Sequence, residues 1–355
     1  MVHKIDSSTA VSVMPTPGAA GTPGWFTDGN PALGIAGTVV TADWLNAQQA
    51  EILNVLTAAG ITPDKTKQNQ LLTAIQTLAG SGSGSGSSSG GRTVLTTSLY
   101  IYVDATSGND TNPGTSAAPL YTLQKAWDMI CANYDCAFFD VYIWVRNGYY
   151  SAGITSTYKP MNARRVFIAG NSGYAPSAVI TVSQGNCFNF TFGGQIWISS
   201  LTLQATGSPT GGTGCALRAN KGTSIYYDNV RFNSCGTAHL YADSTGQIDA
   251  LRSDYGAASF EIIGGAPCFA YAENSGSIYL SNSSCTVTNT PNFSTAFVCG
   301  YYNSNIVAGS FSYSGTATGV RYLMYFNSVC NTAGGGTGYF PGTGGGTLYT
   351  GGQYA

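Results

Sequence analysis

The chain has 355 residues, in which 14 Lys and Arg face 16 Asp and Glu, giving a formal net charge of −2 with only 8% of residues charged. That is about a third of the usual charged fraction, and so few, scattered cations exclude a phosphate-reading basic face. The longest apolar runs, such as Val141–Val145, fall well short of the roughly 18 residues needed to cross a bilayer, so a soluble protein is expected.

Taken in chain order, Met1-Val2-His3-Lys4-Ile5-Asp6 is followed by Ser, Thr, Pro and Gly instead of the apolar core of a secretory signal, which predicts synthesis in the cytoplasm. Residues 1–40 hold Pro15, Pro17, Pro23 and Pro31 amid Gly, Thr and Ala, a composition for an extended segment that must lie against something else. A helix follows, with Thr41 as N-cap, Asp43 in the first turn, Leu45, Ile52, Leu53 and Leu56 at helical spacing and Gly60 as its stop. A second helix is predicted from Thr62, with Pro63 at its first position and Leu71, Leu72, Ile75 and Leu78 on one stripe. Two helices this short cannot bury both stripes between themselves. The tract at 80–92 is almost pure Gly and Ser, a linker whose ends lie roughly 20 Å apart on average. The predicted organisation is therefore an extended and helical region at 1–79, a linker at 80–92 and a large domain at 93–355.

The large domain repeats. Five Ile residues, Ile196, Ile225, Ile248, Ile278 and Ile306, each follow a short apolar run and a Gly- or Ser-rich turn, at spacings of 29, 23, 30 and 28. Gly194, Gly222, Gly246 and Gly276, with Ser304 in the fifth repeat, stand just before them, where a strand turns a corner. A loose period of this size, built from short strands and turns, predicts a mainly β chain folded as a parallel β-helix. Alternation along each strand then puts Ile198, Tyr227, Ala250, Leu280 and Ala308 inside and Trp197, Tyr226, Asp249, Tyr279 and Val307 outside. An outward aromatic column reads as a subunit contact ahead of a sugar platform. The open end of the coil needs a cover, and a helix at 121–131 with Leu123, Ala126, Trp127 and Ile130 on one face is the predicted cap.

Chemistry-bearing residues are sparse. Nine cysteines, all after residue 130, include no CxxC pair, so no metal centre is expected, and the odd number excludes a wholly intramolecular disulfide set. Most read as small buried hydrophobes. Asp228, Asp243, Asp249, Asp254, Glu261 and Glu273 are the acids that a glycan-cleaving groove would draw on. No two share a column on neighbouring coils, which favours turn residues and solvated edges. His239 is a lone histidine near Asp243, weak support for a triad. The oxygen-rich Asp104, Asn109, Asp110 and Asn112 lack calcium-loop spacing and read as turns. No cofactor fingerprint is present.

The stretch Gly21-Thr22-Pro23-Gly24-Trp25-Phe26-Thr27-Asp28-Gly29-Asn30-Pro31, continuing through Val39-Val40-Thr41-Ala42-Asp43-Trp44-Leu45-Asn46, resembles the N-terminal attachment region of bacteriophage and prophage tail fibre proteins. Tyr102–Asp110 with Pro119–Ala126 is similar to the opening of pectate-lyase-like right-handed β-helices in phage tail proteins, and Gly338–Thr343 with Gly351–Tyr354 resembles their closing segment. The resemblance implies a homotrimeric, single-stranded β-helical fibre anchored to tail or baseplate proteins through residues 1–79, with Trp25, Phe26, Trp44 and Leu45 as attachment residues. It would be a virion protein that adheres to a bacterial surface glycan or protein, with Trp197, Tyr226 and Tyr279 as binding residues and no catalysis, nucleic acid or membrane insertion. A tailspike-type polysaccharide depolymerase and a structural virion connector are the alternatives.

Overall fold

The computed structural model describes residues 4–19, 21–80, 91–171, 177–207 and 213–355. It divides into two units, Met1–Gly91 and Arg92–Ala355. Most of the Gly/Ser stretch expected to be a linker, residues 81–90, lies outside the described residues.

In the first unit an extended segment precedes helix α1 (Ala42–Ala58), capped by the Thr41 hydroxyl accepting from the Trp44 amide. Two anchors hold the segment to the helix: the Ile5 amide donates to Gln49 Oε1 and the Gly18 amide to Asp43 Oδ2, each at 2.8 Å. Helix α2 (Gln70–Gly80) starts seven residues later than the predicted first position, Pro63. Residues 61–69 form turns instead, because the Gln70 side chain accepts from the Asp64 amide and donates to the Thr62 carbonyl, closing a loop ahead of the helix. Among the described residues of this unit Leu56, Gln70 and Ala74 are buried, while Leu45, Leu72, Ile75 and Leu78 stay exposed. The hairpin alone does not bury its apolar stripes. Among the described residues no helix is long and apolar enough to cross a membrane.

The second unit is a parallel β-helix with three long sheets, beside a two-stranded pairing of Thr93–Val94 with Tyr134–Asp135. The first has ten strands, from Leu99–Val103 to Gln353–Tyr354, the second seven and the third nine. Every strand pairing between neighbouring coils is parallel. The repeat isoleucines align as read: Ile196, Ile225, Ile248, Ile278 and Ile306 pair in one register column. The column also extends upstream through Val141 and Val166, which the sequence reading did not include. Ile198, Tyr227, Ala250, Leu280 and Ala308 are all buried in the core. Between the third and first sheets the chain turns through two successive left-handed residues per coil, such as Asn274-Ser275, Tyr302-Asn303 and Phe326-Asn327. The glycine after the turn is forced by the coil beneath: a Cβ on Gly246 or Gly276 would lie 2.2 Å from a carbonyl oxygen of the preceding coil.

Both ends of the core are closed. Helix α3 (Leu123–Asn133), capped by Thr122, buries Leu123, Ala126, Trp127 and Ile130, and the Trp127 ring packs on Phe190 and Phe192 with centroids 4.9 and 5.7 Å apart. At the other end the Gly-rich segment after Thr332 brings in Tyr339 and the fully buried Phe340, which packs on Phe297 and Phe311. All nine cysteines are buried free thiols.

Candidate functional site

Alternation along the first sheet turns one residue in two outward, and on five successive coils that residue is aromatic. Tyr100, Tyr142, Phe167, Trp197 and Tyr226 occupy one register column. Their rings stack in sequence at 4.8, 4.8, 5.5 and 4.4 Å. The guanidinium of Arg165 lies over Phe167 and Trp197 at 5.1 and 5.9 Å. It is held there, together with Arg164, by the buried Asp140. Hydrogen bonds from Arg164 and Arg165 outweigh burial and keep the Asp140 carboxyl down at about 2. Trp197 and Tyr226 are thus brought face to face, and Trp197 is left only 4% exposed. Tyr279 stands apart, with Asp249 between it and Tyr226 in the column. Rings stacked this way spend their faces on each other and offer solvent their edges.

A second stack starts on the third sheet, where Tyr241 pairs with Tyr271, and continues just past the strand ends through Tyr301, Tyr325 and Tyr349, at 5.0, 5.4, 4.9 and 4.5 Å. Glu273 accepts from the hydroxyls of Tyr241 and Tyr271, and Arg218 caps the column over Tyr241 at 5.0 Å. Sequence reasoning missed this column, although its spacings of 30, 30, 24 and 24 are visible in the chain.

The acids are mostly spoken for. Asp228 accepts from the Ser259 amide, Asp243 from Ser244 and Asn274, Asp254 from Arg252 and the Gly256 amide, and Glu261 from Arg231. Asp249 is the exception: half-buried on the outer face, it has its carboxyl pushed up to about 6 by burial. Asp228 and Asp249 are diagonal neighbours on that face, two residues and one strand apart, which puts their Cα atoms roughly 8 Å from each other. His239 is fully buried among Phe232, Phe269 and Phe293, with Nε2 on the Asn233 carbonyl at 2.9 Å, and burial lowers its pKa to about 4. It is a neutral core residue.

Where the outer face meets the first coils there is an open cleft of about 640 Å³, lined by Tyr102, Asp104, Ser107, Trp144, Arg146 and Asn147 among others. Asp104 accepts from the Thr106 and Ser107 amides, the Ser107 hydroxyl and Arg146, and Arg146 also reaches Ser116. Burial raises the Asp104 carboxyl, but these bonds prevail and hold it at about 2. Asp110 is tied to the amides of Tyr121 and Thr122 and the Thr122 hydroxyl, so it fixes the start of α3. These oxygens build turns.

In the first unit Trp25 is 96% exposed, Phe26 meets Trp44 edge-on at 5.2 Å, and Leu45 is exposed one residue further on. These four apolar side chains are exposed alongside Leu33, Ile35, Val39 and Val40.

Over 79 residues the chain is 42% identical to tail fiber protein S of Escherichia phage Mu, a match that covers 21% of this chain and 15% of that protein. It is 46% identical over 55 residues to the Mu-like prophage FluMu defective tail fiber protein of Haemophilus influenzae, covering 16% of this chain and 8% of that one. The chain thus matches well under a fifth of the length of these curated relatives. No family model and no solved structure matches.

Proposed function

We propose that this chain is a bacteriophage tail fibre component that is structural and adhesive, attaching to the virion through residues 1–79 and presenting its β-helix to a bacterial surface glycan or protein without cleaving it. The observation that carries the reading is the 42% identity over 79 residues to a Mu tail fibre protein. The exposed Trp25, Phe26, Trp44 and Leu45 supply an apolar docking surface for tail or baseplate proteins. The solenoid supplies long outer faces rich in aromatic residues and poor in charge, on which Tyr279 and the ring edge of Tyr226 are available for binding, while Trp197 lies buried within its stack. The working form is a homotrimer, made in the host cytoplasm and carried in the virion. Light scattering tests that form directly: a stable species at the chain mass of 36.8 kDa would overturn it.

A second reading, glycan cleavage, draws on one observation: Asp249, whose carboxyl burial pushes up to about 6, lies diagonal to Asp228 on the same outer face. Paired carboxyls about 5 to 9.5 Å apart, one of them protonated, are what glycosidic hydrolysis uses. Incubating the full chain with host surface polysaccharide, and following both bound protein and the length of the sugar chains, separates the two. Binding without shortening supports adhesion, whereas shortening that disappears in Asp249→Asn establishes the enzyme.

A further inference from the structure

Trp144 flanks the main aromatic column, and among the described residues no ring pairs with it from the next coil. Beside the main column on the first sheet runs a second outward one, in which Tyr102 pairs with Trp144, Trp144 with Ala169 and Ala169 with Ser199. Two large rings are thus followed by two small residues. The ring neighbour of Trp144 is Tyr142, two residues back on its own strand, with centroids 6.2 Å apart and planes 9° from parallel. Toward Ala169 its indole face meets no ring among the described residues.

The low side of this step is set by the backbone. A Cβ on Gly170 would lie 2.1 Å from the Ser200 carbonyl oxygen of the next coil, so no side chain can rise there. The 640 Å³ cleft is lined by Tyr102 and Trp144 on one side and by Gly170 and Asn171 on the other, a size typical of small-ligand sites. Its rim is polar and locally neutral: Arg146 and Asp104 form an ion pair at 3.2 Å, with Ser107 and Asn147 beside them. A flat apolar face under a ring of hydroxyl, amide and guanidinium groups, with no net charge, complements a molecule that has an apolar face and hydroxyl edges.

We infer that the Trp144 cleft is a glycan subsite that stacks one neutral hexose ring on the indole and bonds its hydroxyls through Arg146, Asn147 and Ser107. The inference rests on the adhesive reading and locates its ligand away from the stacked column of Trp197 and Tyr226, whose faces are already occupied.

The test uses the full chain on an array of bacterial surface oligosaccharides carrying neutral hexose, hexuronate and phosphorylated units, together with whole host cells. Capture on neutral-hexose glycans is expected, with affinity falling about thirtyfold in Trp144→Ala, the scale at which a central aromatic anchor shows on truncation. Ala169→Phe should abolish the same binding by laying a ring over the indole and extending the Tyr102–Trp144 column without emptying any space, and so controls for loss of fold. Equal binding by wild type and both variants, or selective capture on hexuronate or phosphorylated units, overturns the subsite and leaves adhesion standing. Failure to bind any array glycan or host cells overturns the subsite together with the adhesive reading.

Discussion

His239 should make stability depend on pH in a way that the intact protein conceals. Its pKa is lowered from 6.5 to about 4 by burial, so the unfolded chain takes up a proton that the folded chain refuses. Its contribution is full above pH 6.5 and lost as pH falls toward 4. Between pH 7 and 4.5 the loss is about 2.4 kcal/mol by linkage. Asp249 acts in the opposite sense: its carboxyl is raised from 3.8 to about 6, so it favours the folded state below pH 3.8 and loses that advantage as pH rises through 6. Over the same interval acidification returns up to about 2 kcal/mol, less after discounting for solvent access. Asp104 and Asp140, both held at about 2, do not titrate in the folded state within this window. The wild type should therefore be nearly flat between pH 7 and 4.5, while Asp249→Asn loses about 2 kcal/mol on acidification and His239→Leu gains a similar amount. Denaturant unfolding of the three proteins at pH 7, 5.5 and 4.5 measures this. Parallel curves for all three would refute the reasoning and mean that neither group is buried as described.

Trp127→Ala should cost about 3 to 5 kcal/mol, because it empties the cap of its largest side chain against Phe190 and Phe192; calorimetry showing less than about 1 kcal/mol would mean that α3 is dispensable. Gly276→Ala forces a Cβ to 2.2 Å from the Ala242 carbonyl and should destabilise by about 1 to 3 kcal/mol, as overpacking does, whereas Gly345→Ala, with open space around it, should be neutral in the same melt. Trp25→Ala should leave the unfolding transition unchanged, since its side chain is 96% exposed, yet reduce incorporation of the chain into particles; normal incorporation would remove Trp25 from the attachment surface.

The β-helix was legible because its inner columns repeat as a residue type. Ile recurs at a coil length, and the alternation around it correctly sorts Ile198 and Tyr227 from Trp197 and Tyr226. The coils before Ile196 were less visible, since Val141 and Val166 do the same work with a different residue. The second sheet escaped altogether: strands such as Ser259–Ile262 and Ser284–Val287 are short and expose a polar residue at alternate positions, a pattern that loops share. Trp197 was placed outward by parity, but parity says nothing of what lies above it; burial came from Arg165 and the neighbouring rings, which are contacts between coils. The Trp144 cleft depends on the size of residues one coil away, so only register could reveal it. The start of α2 was misplaced because Thr62-Pro63 carries a helix-opening pattern that Gln70 overrides by tying down the loop.

The in-register columns make the length of the body a separable quantity. Each coil touches mainly the coils on either side, and the helix at one end and Phe340 at the other pack on coils near their own ends, through Phe190 and Phe192 and through Phe297 and Phe311. Duplicating or deleting one whole turn, such as the stretch from Ile225 to Gln247, would leave both closures and every remaining column in register. The reach of the protein can thus be graded in steps of about 4.8 Å, the spacing between adjacent strands, without inventing a new core.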